Sequence, residues 1–345
     1  MSGLDITRRT VELEGVAPDA IPYDRLMQEQ TPVILKGVAR DWPLVRKGQE
    51  SPDAAMQHIE SFYNGRPIVE YRCGPEAGGR YFYTDAVDGF NFERGRVPLQ
   101  EFFARIREMM AHPDGSSAYV GSTDLDGFFP GLRGANDLVL NHSMFEAHRP
   151  LVSLWMGNHT IASAHYDMSH NLACCMVGKR TFTLFPPEQV ANLYPGPLEP
   201  TPGGQVVSMV DFRAPDLDRY PRFAEAMAAG QVAELEPGDV LFYPALWWHN
   251  VEGVGAFTAM INYWWNTSPA FMDTPQNTLL HAMLSLRDRP APEKQAWKAL
   301  FDYYIFGPAD APAAHLPEGA QGNLAPLDAA SARRLRATLL NRLNR

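Results

Sequence analysis

The sequence of 345 residues is 45% hydrophobic and 20% charged and carries a formal net charge of −10, which fits one large or two modest globular domains. That balance leaves out the broad basic footprint of a nucleic-acid binder, the one dense basic run being "RRLRATLLNRLNR" at the C-terminal end. No apolar stretch approaches the roughly 18 residues of a membrane span, and the opening "MSGLDITRRTVELEGV" lacks the apolar segment of a secretory leader; the expected location is the cytoplasm.

In chain order, "TPVILKGVARDWP" at 31–43 predicts a short β-branched strand and a turn, and "PLQEFFARIREMM" at 98–110 predicts a helix with apolar residues three and four apart. Residues 1–115 read as a mixed α/β part. From 116 to 268 the signals are short strands broken by turns: "AYVGS", "NLACCMV", "RTFTLF", "QVVSMV", "VAELEPGDVLFYP", "WWHNVEGV" and "FTAMINYWW". Strands at this spacing predict a jelly roll or barrel. From 269 to 345 the pattern turns helical, with "TPQNTLLHAMLSLRDR" and "APEKQAWKALFDYYIF", a Pro/Gly/Ala-rich linker at 307–326, and a last helix opening on an Asp328 N-cap. The expected class is therefore mainly β with flanking helices.

Chemistry concentrates in "SAHYDMSHNLACCMVGKRTFTLFPP" at 163–187. His165 and Asp167 are two apart, so on a strand both project from one face. His249, after the Pro-Gly-Asp turn of "PGDVLFYPALWWHNV", is the best third member. Two histidines and a carboxylate on one face leave octahedral positions open and suit non-haem Fe(II).

Gly178-Lys179 is expected as the two-residue loop of a hairpin that places Asn171, Ala173, Cys175 and Val177 on the metal face, joined by Arg180, Phe182 and Leu184. In that register Arg180 either reaches solvent or an acidic neighbour at the barrel mouth, or clamps a carboxylate of a small co-substrate. Asn262, the one amide in "FTAMINYWW", shares a face with Thr258, Met260 and Trp264; it either satisfies backbone groups or orients the co-substrate beside Asn171. Adjacent Cys174 and Cys175 cannot easily bridge each other in an extended strand and, with Cys73, fit a reducing compartment, where free cysteine packs as a small hydrophobe. His159 and His170 are not expected as ligands, and Trp247, Trp248, Trp264 and Trp265 are expected mostly in the core, with one or two at the pocket rim.

Taken together, "HYD", "GKRTFTLFPPEQ", "PGDVLFYPALWWHNVE" and "INYWW" resemble the cupin-like JmjC branch of Fe(II)- and 2-oxoglutarate-dependent oxygenases, near the asparaginyl hydroxylase of hypoxia-inducible factor. The early "TPVILKGVARDWP" is similar to that family's N-terminal signature. The resemblance implies a double-stranded β-helix (cupin, jelly-roll) fold with His165, Asp167 and His249 as catalytic iron ligands. It places Arg180 where the family often has a lysine for the distal carboxylate of 2-oxoglutarate, with Asn171, Asn262 and Tyr119 lining the co-substrate pocket. The family's hydroxyl residue three before the first histidine is Ala162 here, for which Ser163 or Thr160 would stand in. The implied reaction couples decarboxylation of 2-oxoglutarate by O2 to hydroxylation of a protein or peptide side chain or a small molecule. A nucleic-acid substrate is disfavoured, and a homodimer through the C-terminal helices is expected. Two rivals share the ligand set: a cupin isomerase or hydrolase using Zn2+ or Mn2+ as a Lewis acid, and a non-catalytic metal-binding module.

Overall fold

The computed structural model describes residues 6–344; the first five residues and Arg345, which enter the readings of the N-terminus and of the basic run, lie outside them. The chain divides into two compact units, Met1–Asn266 and Thr267–Arg345.

In the first unit twelve strands are described: β1 (Val11–Leu13), β2 (Val33–Leu35), β3 (Ile68–Cys73), β4 (Arg80–Tyr81), β5 (Glu93–Val97), β6 (Ser117–Asp124), β7 (Leu151–Gly157), β8 (Thr160–Tyr166), β9 (His170–Phe185), β10 (Gln231–Leu235), β11 (Val240–Tyr243) and β12 (Trp248–Trp265). Two of them, β9 and β12, pair with each other along most of their length and build both layers. The first half of β9 pairs with β11 and its second half with β10. Likewise the start of β12 pairs with β8 and its end with β7. Each long strand thus passes from one sheet of a jelly roll to the other, as the fold expectation required.

The hairpin expected at Gly178-Lys179 does not form. Gly178 adopts φ +68°, and there the chain bends within β9 instead of reversing, opposite an irregular stretch of β12 between Val254 and Ala259. A Cβ on Gly178 would come within 2.8 Å of Thr258 Cγ2, so glycine serves the crossing between layers rather than a turn. Ala173, Cys175, Phe182 and Leu184 nevertheless pack in one inner cluster with Tyr243 and Met260, whereas Val177, expected with them, packs in the outer cluster. Nor does the strand run unbroken from His165: β8 ends at Tyr166 and β9 begins at His170. "QVVSMV" forms only isolated bridges, Val207 to His165 and Ser208 to Pro195.

Outside the inner cluster, one sheet face is covered by helices Pro43–Glu50, Pro52–Glu60 and Leu99–Ala111, which bury Leu44, Met56, Phe102 and Phe103 against Cys174, Met176 and Ile261. The second unit contains helices Pro275–Ser285, Ala291–Phe301 and Ala329–Leu343. The last opens on Asp328 as expected: its carboxylate accepts from Ser331 N at 2.7 Å while Ser331 Oγ accepts from Asp328 N.

Candidate functional site

Antiparallel pairing of β8 with β12 sets His165 directly opposite His249, with ring centroids 4.3 Å apart. Asp167, just past the end of β8, brings Oδ2 to 3.6 Å from His249 Nε2. One ligand atom from each of the three residues lies within 4.8 Å of the others, a separation that one metal ion can bridge.

Hydrogen bonds behind the rings orient them. His165 Nδ1 lies 2.8 Å from the Ser163 carbonyl and His249 Nδ1 2.9 Å from the Trp247 carbonyl. A carbonyl only accepts, so each Nδ1 carries the proton and each Nε2 keeps its lone pair for the ion. Burial and the neighbouring His165 ring push the His249 pKa down to about 4 against the opposing pull of Asp167, so this imidazole is neutral, the form that binds metal. The turn Pro244–Trp247 links two ligand segments: Leu246 N donates to the Asp167 carbonyl at 2.7 Å, and Ala245 N donates to His170 Nδ1 at 3.2 Å.

The three residues line a cavity of about 310 Å³ together with Arg180, Tyr119, Ser163 and Asn262. Arg180 is only 3% exposed, and no carboxylate among the described residues lies within ion-pair distance of it. Its Nη2 reaches Thr258 Oγ1 at a long 3.5 Å, and its Nε has no partner. Solvent or an acidic neighbour is thus not what balances this charge. Burial lowers the Arg180 pKa from its ordinary value, and a guanidinium so placed calls for an anionic ligand.

Asn262 Nδ2 donates to Asn171 Oδ1 at 2.9 Å, and Asn171 Nδ2 donates to the Ser169 carbonyl at 2.9 Å. Asn262 faces the cavity, while fully buried Asn171 backs it from behind. Ser163 borders the cavity, its hydroxyl oxygen accepting from Arg80 Nε at 3.0 Å; Thr160 and Ala162 border it as well. Cys73, Cys174 and Cys175 are free and buried.

A profile described as a cupin-like domain matches residues 18–271. The chain belongs to the cupin-like domain family. It is 32% identical over 269 residues to lysine-specific demethylase JMJ31 of Arabidopsis thaliana, covering 68% of this chain and 48% of the relative. It is 38% identical over 266 residues to rat HSPB1-associated protein 1, covering 69% and 49%, and 30% identical over 203 residues to the zebrafish tRNA wybutosine-synthesizing protein 5, covering 52% and 56%. The cupin-like chain therefore spans about half the length of these curated relatives, whose JmjC character agrees with the motif resemblance.

Several residues of this cupin-like cavity escaped the sequence reading. Tyr243 is buried in its wall, 4.6 Å from the His249 ring between centroids; alternation from Leu241 along β11 would have placed it on the inner face. Thr258 was noted only as a face neighbour of Asn262, yet it is Arg180's hydrogen-bond partner. Tyr71, Tyr81 and Phe92 come from the N-terminal part, and no local pattern there marks them as cavity residues. Among the four tryptophans singled out, Trp264 borders the cavity and Trp248 is buried in an outer cluster.

Proposed function

We propose that this chain is an Fe(II)- and 2-oxoglutarate-dependent oxygenase that hydroxylates a side chain of a protein or peptide, or a small molecule. The observation that carries the reading is Arg180: a buried guanidinium without an acid, in the same cavity as an oriented His–Asp–His face. In this reading His165, Asp167 and His249 hold the iron through two Nε2 atoms and a carboxylate oxygen. Arg180 binds the distal carboxylate of 2-oxoglutarate, where its planar fork makes paired hydrogen bonds. Tyr119 adds a hydroxyl donor, its phenol kept protonated by burial, and Asn262, fixed by Asn171, presents its amide edge. Ser163 holds His165 through its carbonyl, while its hydroxyl, accepting from Arg80, keeps its own proton to donate. The iron, when bound, supplies O2 activation coupled to decarboxylation of 2-oxoglutarate to succinate and CO2.

The relatives' names mention lysine and tRNA, and the net charge of −10 supports a substrate other than nucleic acid. No described helix is long and apolar enough to cross a membrane, and three free buried thiols are in keeping with a cytoplasmic setting. Homodimer formation through the second unit is supported by apolar side chains left in water there, Leu284 at 80% and Phe306 at 76% exposure.

The test is metal-dependent binding of N-oxalylglycine, an analogue of 2-oxoglutarate. The reading requires binding with Mn(II) or Zn(II) present and competition by 2-oxoglutarate. Absence of binding under both metals overturns it.

A further inference from the structure

Beyond the metal face and Arg180, the cavity is lined by a group of rings, of which only Tyr119 also belongs to the proposed co-substrate site. Four rings close on one another there: Tyr71 to Phe92 at 5.7 Å, Phe92 to Tyr81 at 5.6 Å, Tyr81 to Tyr119 at 5.5 Å and Tyr119 back to Tyr71 at 6.2 Å between centroids. Trp155 continues the surface, 6.0 Å from Tyr119. Each ring touches its neighbours instead of facing them across a gap, so together they make a continuous wall and leave no slot in which a cation would be surrounded. Burial raises the phenol pKa values of Tyr81 and Tyr119, which keeps both neutral.

Ser122 and Gln205, both uncharged, also line the cavity. Gln205 lies on the segment that the Val207 bridge ties to His165, which sets its place beside the metal face. Of all the described side chains lining the cavity, only Asp167, Arg180 and the two ligand histidines can carry charge near neutrality. In the oxygenase reading the metal takes Asp167 and both histidines, and the co-substrate takes Arg180. An ionic group entering next would give up its hydration with no counter-ion to meet it. A flat neutral group would instead gain ring contact along the wall.

We infer that the ring-lined part of the cavity receives an uncharged planar group of the substrate, a ring bearing an amide-like edge, which stacks on the Tyr71–Phe92–Tyr81–Tyr119 wall and pairs at its edge with Gln205. This rests on the oxygenase reading, because it needs Asp167 and Arg180 to be occupied. The group whose C–H bond is oxidised is then part of that ring or attached to it. Lysine, arginine, carboxylate and phosphate groups are selected against.

Benzamide, benzoate and benzamidinium share one flat shape and differ only in charge, so they test the inference directly. Their affinities are measured by ligand-observed NMR on the full chain loaded with Zn(II) and N-oxalylglycine. Benzamide is expected to bind at least about tenfold more tightly than either ion, a gap of about 1.4 kcal/mol. Phe92→Ala weakens benzamide and leaves N-oxalylglycine binding unchanged. Gln205→Glu, at a half-buried position, moves the preference toward benzamidinium. A native preference for benzamidinium makes the wall a cation site and overturns the inference, as does a preference for benzoate, equal affinity for all three, or failure of all three to bind. Loss of N-oxalylglycine binding in the native chain is a different result: it defeats the oxygenase reading itself.

Discussion

Replacing Arg180 by methionine should move stability and co-substrate affinity in opposite directions. The guanidinium is 3% exposed, has no acidic partner among the described residues and keeps an unpaired Nε, so the unliganded fold bears the cost of an uncompensated buried charge. A methionine removes that charge and, being shorter, gives up the remaining space to the adjoining cavity; replacing buried charged groups by apolar side chains is neutral or stabilising by up to about 4 kcal/mol. At about 2–4 °C per kcal/mol for a unit of this size, the melting temperature of the metal-free protein should hold or rise by several degrees. Affinity for 2-oxoglutarate should fall, because a hydrogen-bonded charged contact is worth about 1.5–3 kcal/mol, roughly 10- to 150-fold. Calorimetric titration of 2-oxoglutarate into the Mn(II)-loaded protein reads the second quantity and thermal unfolding the first. Arg180→Lys should recover part of the affinity, since it restores the charge without the planar fork. A methionine variant that melts lower and binds 2-oxoglutarate normally would refute the reasoning and make Arg180 a structural residue.

Other consequences follow from the same geometry. His249 has its pKa pushed down to about 4 in the fold, below the ordinary value of 6.5, so the unfolded chain takes up the proton first. The metal-free protein should therefore lose stability as pH falls from about 6.5 toward 4, by about 1.4 kcal/mol per unit of depression, and His249→Gln should flatten that slope in urea titrations. His170→Phe removes the acceptor for Ala245 N in the turn that holds Asp167 and His249 together; Co(II) affinity should fall roughly 10- to 100-fold with little change in melting temperature, and His170→Asn should restore part of it. Gly178→Ala forces a Cβ to within 2.8 Å of Thr258 Cγ2 at φ +68° and should cost roughly 1–3 kcal/mol in denaturant unfolding. If the second unit mediates dimers, the double change Leu284→Glu and Phe306→Glu should halve the mass seen by light scattering while 2-oxoglutarate binding persists.

What could be read from the chain alone was what short spacing controls. His165 and Asp167 declared themselves because residues two apart in extended chain share a face, although Asp167 lies just past the end of β8; His249 was picked out by the Pro-Gly-Asp turn, but that turn opens β11, and His249 sits on the next strand, β12, opposite His165. The Asp328 cap was legible for the same local reason. Gly178 misled because a glycine between two apolar runs reads alike as a hairpin turn and as a bend in one long strand. Only pairing with β12 on both sides of it decides between them. The partnership of Asn171 with Asn262, the burial of Tyr243 and the aromatic wall depend on contacts between β3, β4, β6, β9, β11 and β12, brought together by the jelly-roll topology at separations no sequence window spans.

The account stands most directly on succinate production. Purified protein given Fe(II), ascorbate, O2 and 2-oxoglutarate should release succinate even before its substrate is known. Release should stop when Zn(II) replaces Fe(II), and should be absent from a folded Asp167→Ala variant. Succinate release that is equal with zinc, or unchanged in Asp167→Ala, or missing altogether from the iron-loaded native chain, would contradict the assignment of His165, Asp167, His249 and Arg180 as an oxygenase centre.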